Sequence, residues 1–255
     1  MYNNEETLLD LRLQTLSKYV RKFILVESKF DHQGNYKDKF FNIEDFKKYK
    51  DKIITLRINN FPSNVNGSWE RENFQRNYLS RAIENLQDDD YIIISDADEI
   101  PNLSKIKNIE KNKFTAFKQL NYCYKFNMKN ITYPDWYGSK VCKKKYLKSP
   151  QWLRNQKVKN YSLLQFYKIK WNIVQNGGWH FSFLMSPAKI KEKIKSFAHV
   201  EFNKTEYLDI DKINKSIIGG FDLFNRNQKY IKVNLDKTFP KSIFDNMSKY
   251  KEWIV

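Results

Sequence analysis

Residues 91–98 read Tyr-Ile-Ile-Ile-Ser-Asp-Ala-Asp, an apolar run that stops on two carboxylates separated by one small residue. In an extended segment residues i and i+2 point the same way, so Asp96 and Asp98 converge on one object while Ala97 faces elsewhere. Two hard oxygen donors at the carboxyl end of a buried strand suit a divalent cation such as Mg2+ or Mn2+. Open α/β sheets also bind ligands at that end of their strands. Taken alone, Asp96, Asp98 and Glu99 would more often be a solvated acidic turn, as short motifs usually are. The surrounding residues favour a site.

A helix expected over 69–86 carries Phe74, Tyr78, Ala82 and Leu86 on its apolar face, with Arg71 and Gln75 on the same side. Near the helix N-terminus these two meet a phosphate, a ribose or a carboxylate partner, or cap and pair locally. Arg76 projects away, toward solvent. Glu27 ends the apolar run 23–26 and suits the N3–H of a uracil ring as well as plain solvent. His180 follows Gly177 and Gly178, where a neutral imidazole completes a metal site or touches a sugar hydroxyl. His199 and His32 are weaker candidates. No Ser/His/Asp arrangement, Walker loop, CxxC pair or GxGxxG fingerprint occurs, which removes several enzyme classes.

These residues need elements to hold them. Leu9, Leu13, Leu16 and Val20 recur at helical spacing and predict an amphipathic helix over 6–19. Strands are expected at 22–27 and 52–58, a short helix at 43–50, and the acidic strand after the helix that starts at Trp69. Strands alternating with helices over the first hundred or so residues indicate βαβ units around a largely parallel sheet. The aromatic run 114–128 suits antiparallel strands or a hairpin. Further on come a short helix at 149–155, a strand within 163–174, and a helix over 187–196 with Pro187 in its first turn. Beyond Asp209 the chain is rich in Lys and Asn with scattered aromatics, and shows no pattern.

The 255 residues are 41% hydrophobic, enough for one sizeable core. No window approaches a membrane span or a signal peptide. Cys123 and Cys142 form no disulfide framework, although a single bridge stays open, so a reducing, cytoplasmic setting is expected. The net charge of +17 invites a nucleic-acid or anionic-membrane partner. Only eight of the 46 basic residues are Arg, however, and readers of bases and phosphates lean on the Arg fork. Nucleic acid is therefore not expected, while peripheral contact with an anionic membrane stays open. Seven Asn-x-Ser/Thr triplets are what an Asn-rich chain produces by chance.

Several separated segments together resemble glycosyltransferase family 17. They are Tyr2-Asn3-Asn4-Glu5-Glu6 with Leu9 and Arg12, Val26-Glu27-Ser28, His32-Gln33-Gly34, residues 69–77, 92–101 and 177–182, and the stretch from Ser196-Phe197-Ala198-His199 to Asn203. They cover roughly residues 1–203, and the part beyond Asp209 adds nothing. The resemblance implies an α/β GT-A-like fold with a mostly parallel central sheet and helices on both faces. Within one such domain, 1–110 would be the nucleotide-binding half, 111–208 an antiparallel, acceptor-side half, and 209–255 a tail of uncertain role. It also implies a UDP-sugar donor, UDP-N-acetylglucosamine in characterised members, a Mn2+ or Mg2+ cofactor, a glycan acceptor and inversion at the anomeric carbon.

By the same resemblance Asp98 binds the cation that bridges the diphosphate, with Asp96 and His180 beside it. Asn4, Glu5, Glu27, Arg71, Gln75, Asp96 and Trp179 are the expected donor contacts, with Asp96 at the ribose or at a water on the cation. The family's leading strand precedes the position of Tyr2, so the chain is expected to lack that strand. A base must take the acceptor proton, and Glu201, Asp135 and Glu99 are the candidates, Glu201 foremost. A nucleotidyltransferase, or a basic binding module on a non-catalytic fold of this kind, are the alternatives.

Overall fold

The structure is a computed structural model that describes residues 5–159 and 168–255. Its first helix, α1 (Glu6–Leu16), buries Leu8, Leu9, Leu11, Leu13 and Leu16 to 2% exposure or less. Apolar side chains thus cover more than one stripe, and α1 lies inside the main core. Each buried Leu contributes about 1.5–3 kcal/mol.

β1 (Phe23–Ser28) and β2 (Ile53–Ile58) pair in parallel across a 3₁₀ stretch at Ile43–Lys52. α2 (Ser68–Asn77) starts where the Glu70 carboxylate accepts the N–H groups of Asn66 and Gly67 at 2.9 and 3.0 Å. The single helix expected over 69–86 is interrupted. After Asn77 the backbone tightens, with Leu79 N–H donating to Arg76 O and Ala82 N–H to Leu79 O, before the short α3 (Ser80–Ile83). The break coincides with docking of a distant segment, because Asn77 Oδ1 accepts the Gln151 N–H at 3.0 Å.

The strands that follow are β3 (Tyr91–Ile94), β4 (Glu99–Pro101), β5 (Phe114–Phe117), β6 (Gln119–Cys123), β7 (Met128–Asn130), β8 (Asp135–Trp136) and β9 (Lys140–Lys143). After α4 (Pro150–Asn155) come β10 (Trp171–Val174), β11 (Gly178–Ser182), α5 (Pro187–Ser196), α6 (Ile210–Gly219), β12 (Tyr230–Lys232), α7 (Lys241–Asp245) and α8 (Met247–Tyr250). β10 is the strand expected within 163–174, whose first five positions lie outside the described residues. One sheet runs β10-β5-β9-β3 and another β12-β7-β6-β11-β4, with β8 added to β6.

Only β1/β2, β5/β10 and β6/β11 are parallel among the described residues, and the six other pairings are antiparallel. The largely parallel central sheet is thereby corrected to a mixed α/β architecture. Parallel neighbours need a long crossover. From β4 to β9 no α-helix intervenes, so the chain returns by short turns and β9 inserts antiparallel between β3 and β5. Past residue 110 the expected antiparallel character holds for β5/β9, β6/β7, β6/β8 and β7/β12, whereas β5/β10 and β6/β11 are parallel, so that half is mixed as well.

The segment beyond 209 is built into the core. Ile213, Ile243 and Tyr250 are fully buried, and α7 packs on α1. Cys123 and Cys142 are buried free thiols in different sheets, so no bridge joins them. Among the described residues no helix is long and apolar enough to cross a membrane.

Candidate active site

The turn between β3 and β4 is fastened from four directions. Arg12 of α1 donates to Ser95 Oγ at 3.0 Å, to Asp96 O at 3.1 Å and to Glu99 O. Glu99 is fully buried under the turn, where it accepts the Trp136 indole N–H at 2.7 Å and the Asp96 N–H at 3.1 Å and pairs with Arg154 at 2.9 Å. Gly138 makes room for it: a Cβ there would fall 1.6 Å from Glu99 Oε1. The Asp96 carboxylate is gripped by Arg76 at 3.1 Å and Arg154 at 2.8 Å. Burial opposes its charge, yet these two guanidinium groups hold the carboxyl well below the usual range.

Asp98 has no guanidinium partner among the described residues. Its Oδ2 lies 3.7 Å from His180 Nε2. Burial raises its carboxyl, and His180 followed by Lys193 outweighs that, leaving it at about 2. The histidine tautomer follows from its neighbours. Asn121 Nδ2 donates to Tyr133 O at 3.0 Å, so its Oδ1 faces His180 Nδ1 at 3.0 Å and accepts a proton from it. Nε2 is thereby the nitrogen that faces Asp98: in the charged ring it carries a proton toward the carboxylate, and in the neutral ring it is the free ligating nitrogen of a histidine whose outer partner is in place. Trp136 stacks on the ring at 4.4 Å and 11° and fixes its plane.

Two clefts meet at this turn. The larger, about 750 Å³, and the smaller, about 170 Å³, are both lined by Asp96, Asp98, Glu72, Arg76, Lys193 and His199. The smaller also reaches Ser28, Phe30, His32, Lys37 and Gln75. The larger extends past Trp69, Trp136 and Asn121 to Asp222, Phe224 and Arg226 from the C-terminal segment. At its edge Tyr124 and Phe183, at the carboxyl ends of β6 and β11, both have left-handed backbones, with φ of 68° and 50°. Such strain costs about 1–3 kcal/mol per residue and gathers where side chains must be aimed.

The predicted residues divide sharply. Asp96, Asp98, His180 and Gln75 converge on the clefts, and Glu5 lines the smaller one while holding Lys193 at 3.2 Å. Gln75 donates to Val26 O at 3.0 Å, which turns its carbonyl to His32 Nε2 at 2.9 Å. Glu27 is buried instead, accepting the Phe41 N–H at 2.9 Å and pairing with Arg57 at 2.7 Å. Arg71 donates to His32 O, and Trp179 lies in the core with its indole N–H on Thr238 O. Asp135 pairs with Lys118 at 2.8 Å and lines neither cleft. Asn4 lies outside the described residues.

Arg76 reverses the expectation of a solvent-facing side chain: it is 3% exposed, held between Glu72 one turn back on α2 and Asp96 of the acidic turn. Arg154 and Lys193 were not anticipated at all. One signal was available, since Arg is scarce in this chain and Arg12, Arg76 and Arg154 all reach the acidic turn, where their fixed fork matters.

Comparison with known proteins bears on this arrangement. The model of glycosyltransferase family 17 matches residues 1–227, which extends the likeness past Asp209 and into the cleft wall at Asp222 and Arg226. The β-1,4-mannosyl-glycoprotein 4-β-N-acetylglucosaminyltransferases of Homo sapiens and Rattus norvegicus are each 30% identical over 109 residues, covering 39% of this chain and 20% of theirs. That of Mus musculus is 29% identical over the same length. The chain therefore spans about a fifth of the length of these curated relatives. No solved structure matches it.

Proposed function

Because the chain belongs to glycosyltransferase family 17, we propose that it is a cation-dependent, inverting transferase on a GT-A-like fold. It moves N-acetylglucosamine from a UDP-sugar to a glycan hydroxyl, forming a β linkage. The observation that carries this is the Asp98–His180 pair, a carboxylate that lines both clefts and an imidazole Nε2 that lies 3.7 Å from it on the wall of the larger one.

Among the described residues no group of three or more His, Cys, Asp or Glu forms a cage. A pair of donors fits Mg2+ or Mn2+ in a nucleotide site, where substrate phosphates and water complete the shell. Asp98 and His180 would hold the ion, which when bound neutralises charge on the departing diphosphate. Lys193, partly buried and kept protonated by Glu5 and Asp98 against its desolvation, adds a second cation to the same anion. Asp96 lines both clefts with lone pairs beyond those Arg76 and Arg154 use, so it suits a ribose hydroxyl. The smaller cleft, with Phe30 and the Gln75-oriented His32, takes the nucleoside. The larger takes the acceptor.

Thermal unfolding with UDP-N-acetylglucosamine, UDP and nucleoside triphosphates, each with and without Mn2+, tests donor and ion together. Stabilisation by UDP compounds only with Mn2+, lost in Asp98→Asn, is expected. Preference for triphosphates would replace the reading with nucleotidyl transfer. No response to any nucleotide would end it.

A further inference from the structure

An inverting transfer needs a base on the acceptor side, and the carboxylates lining the larger cleft are poorly suited to it. Glu72 is paired with Arg76 at 2.8 Å, Asp222 with Arg226 at 2.7 Å, and Glu99 with Arg154 at 2.9 Å. Asp96 carries two guanidinium partners, and Asp98 faces His180. A guanidinium neighbour lowers the basicity of each carboxylate it meets. Lys193 is paired, and burial pushes Cys123 up to about 12 and Tyr124 and Tyr230 higher still, so these hold their protons. Of the two histidines on this lining, His180 is taken up by Asn121 on Nδ1 and Asp98 beside Nε2, which leaves His199.

His199 lines both clefts, and its Nδ1 lies 2.7 Å from Glu201 Oε1. An ionised carboxylate only accepts, so Nδ1 donates and the lone pair of the neutral ring sits on Nε2. Nε2 has no hydrogen-bond partner among the described residues. Trp69 meets the ring edge-on at 4.5 Å, with Phe197 at 5.5 Å and Phe202 at 5.7 Å. Three aromatic contacts and one carboxylate fix the imidazole on an otherwise exposed turn. Glu201 lines neither cleft, and its hydrogen bond to His199 holds it ionised, which suits an orienting partner better than a base.

We propose that His199 is the general base of the transfer and Glu201 the residue that positions it, a refinement that rests on the glycosyltransfer reading above. His199 Nε2 takes the proton of the acceptor hydroxyl as that oxygen bonds to the anomeric carbon. The bond from the anomeric carbon to the diphosphate breaks, and its electron pair leaves on the diphosphate oxygen. The imidazolium is balanced by Glu201 and returns its proton to solvent.

Initial rates of sugar transfer in the full chain test this with His199→Gln, His199→Ala, Glu201→Gln and Glu201→Asp. Thermal shift with UDP and Mn2+ runs in parallel as the control for folding and donor binding. Both His199 variants are expected to lose about 100- to 10,000-fold in kcat while keeping the UDP–Mn2+ shift, with imidazole partly restoring His199→Ala. Glu201→Gln should lose about 10- to 100-fold in kcat at unchanged acceptor KM, and Glu201→Asp should recover part of it. His199→Gln turning over within threefold of wild type overturns the base. Full kcat in Glu201→Gln overturns the positioning role. Wild type that neither transfers nor responds to UDP and Mn2+ refutes the glycosyltransfer reading, and this proposal with it.

Discussion

Lys140 shows what the acidic turn demands of a single residue. It is 4% exposed, it donates to Arg154 O, and burial followed by the charge of Arg154 brings its ammonium down to about 8. The folded value lies below the unfolded one, so between about pH 8 and 10.5 the unfolded chain binds more protons and stability from this group rises with pH. Below pH 8 the full cost of the buried charge is present. Urea unfolding of wild type and Lys140→Met across pH 7–10.5 should show the difference between them shifting in favour of wild type as pH rises, and a constant difference would contradict the assignment. At this scale Asp96 and Asp98 were legible, because type, spacing and a preceding apolar run are local properties. Arg76 and Arg154 were not, since their partners lie 20 and 58 residues away.

Arg154 ties α4 to the β3–β4 turn, so its loss acts on an element junction. Replacing it by Met leaves Glu99 buried without its cation and Asp96 with one guanidinium instead of two. A loss of about 3–5 kcal/mol in urea unfolding is expected, because a buried charge without its partner is costly. Gly138→Ala acts on the same junction through volume, and with Glu99 Oε1 in the way it should cost about 1–3 kcal/mol or more. An unchanged midpoint would mean that the turn can move aside. Element boundaries were readable where caps mark them: α5 spans Pro187–Ser196 as expected, with Ser186 accepting the Lys189 N–H ahead of Pro187. The break after Asn77 was not, because a helical projection assumes an unbroken helix and the docking of Gln151 lies outside the window it reads.

At the scale of the molecule, the segment beyond 209 joins two jobs. Phe239, Ile243 and Tyr250 enter the core beside α1, while Asp222, Phe224 and Arg226 wall the larger cleft. Ile243→Ala should cost about 2–5 kcal/mol, and far- and near-UV circular dichroism should follow the same shifted transition. Two separated transitions would show the segment melting by itself. The net charge of +17 gives a further expectation: if the basic surface draws in the anionic donor, its KM should rise with added NaCl, and a flat response would confine attraction to the clefts. The sequence by itself determined the acidic strand end, the α1 leucines, the early β1 and β2 strands and the family, because each rests on residue type and short-range order. Tertiary structure alone decided the mixed sheets, the arginine clamp on Asp96, the burial of Glu27 and the placing of His199 between Glu201 and the clefts. Those depend on which distant segments pack together, and a one-dimensional pattern carries period and composition but not the partner across the fold.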